Sequence, residues 1–217
     1  MDDFVGNSGG NVALLLDPLQ SETNSLYEYK RSSMNEIIKS DLYRYVGKTN
    51  NILLVQLRYF FFTPGFRYIY FFRKGSLAKY RIMRYFWHFC MRMCMYRTGI
   101  QIPLGTRIGE GFRIVHFGHI VINPNTKIGK NFNISQGCLI GNSQGKHDGV
   151  PIIGDNVCMN ANSIIIGGVS IGNDVLIAPG AFINFDVPGN SIVIGNPGKI
   201  IKREESPTSK YIVYPIL

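Results

Sequence analysis

The chain has no charge-free apolar run of about 18 residues, the length a membrane-spanning helix needs. The nearest approach, Asn51–Phe72, is interrupted by Arg58, Pro64 and Arg67. A secretory signal is not expected, because residues 1–33 are acidic and the apolar stretch Val12–Leu16 is short for a signal core. Cysteine is sparse. Cys90, Cys94, Cys138 and Cys158 lack the CxxC spacing of a zinc knuckle or a redox pair, so reduced, mostly buried thiols of a cytosolic protein are expected. Acidic residues are scarce, 14 against 23 Lys and Arg. The imbalance is local. Residues 1–33 carry five acidic and two basic residues, residues 34–100 two and twelve, and residues 101–217 seven and nine. The positive charge therefore belongs to the segment that precedes residue 101.

What is present, from Ile102 to Ile183, is an aliphatic residue at every sixth position. Ile102, Ile108, Ile114 and Ile120 form one run; Ile122, Ile128, Ile134 and Ile140 a second; Ile153, Met159, Ile165, Ile171, Ile177 and Ile183 a third. Neither the period of 2 of a strand nor the 3.6 of a helix produces this pattern. A hexapeptide repeat is the signature of a parallel β-helix, in which three hexapeptides make one triangular coil and the sixth side chain stacks inside the prism. Gly or Asn often follows that position, as at Ile108-Gly109 and Ile171-Gly172, which suits corners of unusual backbone geometry. The expected fold is mainly β, a parallel β-helix of hexapeptide repeats behind an N-terminal α-helical segment.

Four segments follow. Residues 1–33 are polar and aperiodic and read as a flexible leader. Residues 34–99 read as helical, with breaks at Gly47–Asn51, Thr63-Pro64-Gly65 and Lys74-Gly75-Ser76. Residues 100–203 are the repeat, closed by Asp186–Asn190 and a final strand Ser191–Ile194, with Gly195–Arg203 leading out. Residues 204–217 form a tail whose Tyr211–Leu217 end is expected to pack on a neighbour. Between Tyr59 and Phe89 aromatics interleave with Arg and Lys. This suits a small bundle packed on itself and on the β-helix, or peripheral contact with an anionic membrane; nucleic acid is not an expected partner.

The stretch "IPLGTRIGEGFRIVHFGHIVINPNTKIGKNFNISQGCLIGN", continued by "IGDNVCMNANSIIIGGVSIGNDVLIAPGAFINFDVPGNSIVIGNPGKIIKR", resembles the hexapeptide-repeat acetyltransferases. The nearest group is the serine acetyltransferases and their relatives in capsule and exopolysaccharide gene clusters. The resemblance implies a left-handed β-helix and a homotrimer. It implies acetyl-CoA, with no metal, bound in clefts between neighbouring prisms, and an enzyme in the cytoplasm or at the inner face of the membrane.

O-acetylation needs a base for the acceptor hydroxyl, a donor for the tetrahedral oxyanion and a groove for pantetheine. His116 sits where the family carries its catalytic histidine, and an imidazole suits proton transfer near neutral pH. Stacking by coil places Gln136, Ala161 and Pro179 in its column, each two positions after its own core residue. Ala161, Pro179 and Gly180 leave a smooth wall for pantetheine. Gln136, or a backbone amide near Gly141 and Asn142, is a candidate contact for the thioester oxygen or the acceptor. The register break Gly141–Ile152 is expected to protrude as a loop carrying Lys146 and His147, the latter a second candidate for binding the acceptor. Lys199 and Lys202, with Arg203, are placed to meet CoA phosphates.

Val115 stands where serine acetyltransferases carry an Asp before the histidine, so a backbone carbonyl or His119 is expected to orient His116. Gln101 replaces an acidic residue of the pattern, and Gly149-Val150 align with its Arg-His pair. A zwitterionic acceptor needs partners for both of its charges. The expectation is therefore an acetyl-CoA-dependent O-acetyltransferase acting on a sugar hydroxyl of a cell-surface polysaccharide. The alternative is serine O-acetylation in cysteine biosynthesis. A zinc hydratase using His116, His119 and His147, and an inactive scaffold, are the readings from other classes.

Overall fold

The computed structural model describes residues 33–145 and 147–216; the leader assigned to residues 1–32 lies outside them. Four helices come first: α1 (Met34–Val46), α2 (Ile52–Phe62), α3 (Pro64–Ser76) and α4 (Arg81–Thr98). Ser33 caps α1 in a reciprocal capping box with Glu36. Pro64 opens α3, where its missing N–H is harmless, and Gly99 in left-handed geometry ends α4. Gly75, read from sequence as a break, lies inside α3. A Cβ there would fall 2.7 Å from Leu104 Cδ2, so this glycine serves close packing.

The remainder is a triangular prism of parallel strands. One face stacks β1 (Arg107–Ile108), β4 (Lys127–Ile128), β7 (Ile152–Ile153) and β10 (Ser170–Ile171). The second stacks β2 (Arg113–Ile114), β5 (Asn133–Ile134), β8 (Cys158–Met159), β11 (Val175–Ile177) and β13 (Ser191–Ile194). The third stacks β3 (Val121–Ile122), β6 (Leu139–Gly141), β9 (Ile164–Ile166) and β12 (Phe182–Ile183). Every sixth-position residue of the three runs is buried, each contributing about 1.5–3 kcal/mol of apolar burial. Left-handed backbone recurs at one corner through Gly111, Asn131, Asn156, Asp174 and Asn190, residues that tolerate positive φ.

A stack of parallel strands has two open ends, each exposing unpaired backbone. At the lower end the helices close it with side chains. Tyr68 hydroxyl donates to the Ile102 carbonyl and accepts from its N–H, at 3.1 and 3.0 Å. Tyr45 treats Ile114 the same way, at 2.9 and 3.0 Å. Arg73 donates to the carbonyls of Ile108 and Gly109, at 2.7 and 2.6 Å, and forms a buried ion pair with Asp41 at 2.7 Å. Asp41 also accepts from Phe112 N–H at 2.8 Å. Each face thus has its lowest backbone groups satisfied by α1 or α3.

At the upper end residues 199–202, read from sequence as a simple exit, form β14 (Lys199–Lys202), which pairs antiparallel with β13 and covers its edge. The tail runs back along its own prism. Ser206 Oγ donates to Asp174, Asn133 donates to the Tyr211 carbonyl, and Asn131 exchanges two hydrogen bonds with Ile216. Buried Arg44 ties this strap to the prism, donating to the Gly111 carbonyl, to Asn133 and to the Val213 carbonyl.

Candidate active site

His116 lies in the turn from the second face to the third, in the lowest coil. Ile114 pairs with Ile134, Ile134 with Met159, and Met159 with Ile177. His116, Gln136, Ala161 and Pro179, each two residues further on, therefore occupy one corner column, as the repeat implied. The turns are tied to one another at 2.9 Å by Gly137 N–H to Gly118 O, Asn162 N–H to Gln136 O and Gly180 N–H to Ala161 O. His116, Gln136, Pro179 and Gly180 are exposed, and Ala161 is half-buried.

The turn that presents His116 has positive φ at Gly118 and at His119, 126° and 49°. The C-terminus of α4 seats against it, since a Cβ on Gly99 would lie 2.9 Å from His119 N. The helical segment thus positions the candidate base, a role that periodicity in the repeat does not reveal. Among the described residues no hydrogen bond reaches the ring of His116 or His119. The expectation that His119 or a carbonyl of the same chain orients His116 is therefore not met within one prism.

The loop after β6 has a defined shape. Gly141 pairs with Ile166, Asn142 is exposed, and Ser143 and Gly149 exchange backbone hydrogen bonds of 3.1 and 3.2 Å. The excursion lies on Gly167 and Gly168. Gly168 N–H donates to the His147 carbonyl at 2.9 Å, and a Cβ on Gly168 would stand 2.3 Å from the Asp148 carbonyl. Gly168→Val is expected to lift the loop, raising amide hydrogen exchange at Ser143 and Gly149 by about tenfold or more while the coils keep their protection. Unchanged exchange there would show that the glycines are not what seats it.

His147 is half-buried at the corner between the third face and the first. The whole width of the third face separates it from His116 in one chain, and Lys146 lies outside the described residues. Lys199 pairs with Ile194, beside Gly195 at the top of the His116 column, whereas Lys202 pairs with Ser191 at the other end of the strand. The structure brings Lys199 to the column and leaves Lys202 away from it. A cavity of about 520 Å³ between α1 and the tail, lined by Lys39, Tyr43, Gly47 and Ile216 among others, holds none of these residues.

The buried thiols are not activated. Burial pushes the Cys158 thiol up to about 11 and also raises Cys94 and Cys138, the reverse of an activated nucleophile. Among the described residues no three His, Cys, Asp or Glu side chains converge as a metal site would require.

No family profile matches the chain. It is 39% identical over 109 residues to a serine acetyltransferase of Staphylococcus epidermidis, an overlap of 49% of this chain and 51% of that protein. The structure matches serine acetyltransferase of Neisseria gonorrhoeae solved in complex with serine, with TM-score 0.62 and 26% identity over 77% of this chain and 69% of that one. It shares the fold of a serine acetyltransferase solved in complex with CoA, with TM-score 0.65 and 19% identity over 78% and 70% of the chains. The chain spans between about a third and a half of the length of the curated relatives it matches. These neighbours have the left-handed β-helix fold, and the resemblance to the serine acetyltransferase group holds.

The expected sugar acceptor is overturned, because the relatives are serine acetyltransferases. That expectation rested on Val115, on Gln101 and on matching Gly149-Val150 residue by residue to an Arg-His pair. The loop has its own hydrogen-bonded path, with His147 and Asp148 at its bend, so its residues need not correspond one to one.

Proposed function

We propose that this chain is an acetyl-CoA-dependent O-acetyltransferase whose acceptor is L-serine, acting as a cytoplasmic homotrimer with His116 as general base. The observation that carries the reading is the column. An exposed histidine stands at its foot, a wall of small residues rises above it, and a lysine strand lies at its top, in a chain whose relatives are serine acetyltransferases.

In this reading the His116 imidazole takes the proton of the serine hydroxyl as its oxygen bonds to the thioester carbonyl carbon. The oxyanion collapses, the C–S bond breaks, and the CoA sulfur recovers the proton from the imidazolium. Pantetheine follows Ala161, Pro179 and Gly180, and Lys199 meets phosphate at the top. A trimer completes the site by bringing the loop corner of one prism against the His116 corner of the next. Gly141, Asn142 and His147 then face the column from the neighbour. Asp148 supplies a carboxylate for the ammonium of the amino acid, and a ring N–H of His147 can donate to its carboxylate.

The test is release of free CoA thiol from acetyl-CoA with L-serine as acceptor. Serine-dependent release at a rate on the order of 1–10³ per second is expected. No serine-dependent release, from protein that still binds acetyl-CoA, would overturn the reading.

A further inference from the structure

We infer that the outward faces of α2 and α4 form a docking surface for an anionic lipid bilayer. No residue of α2 is buried. Leu53, Leu54, Phe61 and Phe62 are 68%, 65%, 62% and 82% exposed. On α4, Ile82, Phe86, Phe89, Met93 and Tyr96 recur at three- and four-residue spacing and are all exposed, which makes one apolar stripe along the helix.

The two helices flank the same edge of α3. Phe60 of α2 packs on Tyr70 and Phe71, with ring centroids 5.1 and 5.4 Å apart, and Trp87 of α4 packs on the same pair at 6.2 and 6.1 Å. The aromatics that hold the helices together are therefore a different set from those left bare. An exposed apolar surface of this extent marks an interaction site.

Charge selects the occupant. Between Asp41 and Glu110 the sequence contains no acidic residue. Arg58, Lys79, Arg81 and Arg97 are exposed beside the apolar stripes. A second copy of the chain would set two cationic rims against each other with no carboxylate of this surface to pair them, and charged groups are depleted from the centres of protein interfaces. A bilayer of anionic lipid offers both parts required: an apolar depth for Leu and Phe, and phosphate and carboxylate headgroups for Arg and Lys, whose long stems reach outward. No helix among the described residues is long and apolar enough to cross a membrane, so the contact is with the surface.

Co-sedimentation of the full chain with phosphatidylcholine vesicles, with and without phosphatidylserine, tests this. Binding is expected with phosphatidylserine only, and to weaken as salt rises. The variant F62S/F89S, and separately R58Q/R81Q/R97Q, should each lower partitioning by about tenfold or more. All five positions lie outside the catalytic column, and circular dichroism is expected to be unchanged. No binding to either vesicle, or equal binding to both, overturns the proposal. So does an ultracentrifugation result in which F62S/F89S splits a larger assembly of the parent chain, because a second copy would then be what covers the face.

Discussion

His116→Ala lowers serine-dependent CoA release by about 10²–10⁴-fold, the range general-base catalysis supplies, and leaves the melting temperature unchanged. Both halves of that expectation come from the same geometry. His116 is exposed at a corner of the lowest coil, and among the described residues nothing hydrogen-bonds its ring. Removing the imidazole therefore opens no cavity and strands no partner. The turn itself is held by backbone, with Gly118 O accepting from Gly137 N–H, and by the end of α4 packed at Gly99. Acetyl-CoA affinity, read by calorimetry, should stay within about threefold, since the wall of Ala161, Pro179 and Gly180 is untouched. Turnover retained at the parent level would remove His116 from the base role. Turnover lost together with acetyl-CoA binding would mean that it holds the cofactor and does not move the proton.

Arg73→Met destabilises the chain by about 3–5 kcal/mol, the cost of breaking a buried ion pair from one side. The guanidinium makes four hydrogen bonds: two to Asp41 and one each to the carbonyls of Ile108 and Gly109. Methionine fills much of the volume and supplies none of them. Asp41, with no exposed surface, is left holding charge without a counter-ion, and the lower edge of the first face loses its donors. D41N/R73M should recover part of the loss, because the stranded carboxylate has gone.

The pH dependence gives a second readout. Burial raises the Asp41 carboxyl above its ordinary 3.8, and Arg73 is the chief influence pulling it back down. In Arg73→Met that pull is absent and the folded-state value rises further. A raised folded value favours folding below the unfolded pKa and loses that contribution as pH climbs through the folded value. The deficit of Arg73→Met relative to the parent chain should therefore be smallest in acid and grow toward neutral pH in urea titrations. A deficit independent of pH would place the cost in the lost carbonyl caps and not in Asp41.

The coils were legible in the sequence because a hexapeptide is a local unit: its inward residue, its corner and its strand lie within six positions, and stacking only repeats them. The column of His116, Gln136, Ala161 and Pro179 followed from the same register. Segment 199–202 carries a signal of its own: the Gly195-Asn196-Pro197-Gly198 turn between two Ile-rich runs, Ser191–Ile194 and Lys199–Lys202, fits an antiparallel return strand. Asp41, one of two acids in a strongly basic segment, was a hint of a buried pair, and the hydroxyls that distinguish Tyr45 and Tyr68 from phenylalanine were hints of polar partners.

By itself, then, the sequence determined the prism, its register and the corner that carries the candidate base, since these depend on periodicity alone. Tertiary structure decided how the prism ends, where the tail lies, how the loop at Ser143–Gly149 is seated and which of Lys199 and Lys202 reaches the column. The reason is physical. Tyr45, Tyr68 and Arg73 bind backbone groups far away in the chain, and backbone looks the same in every sequence. A partner of that kind leaves no pattern to read until the chain has folded onto it.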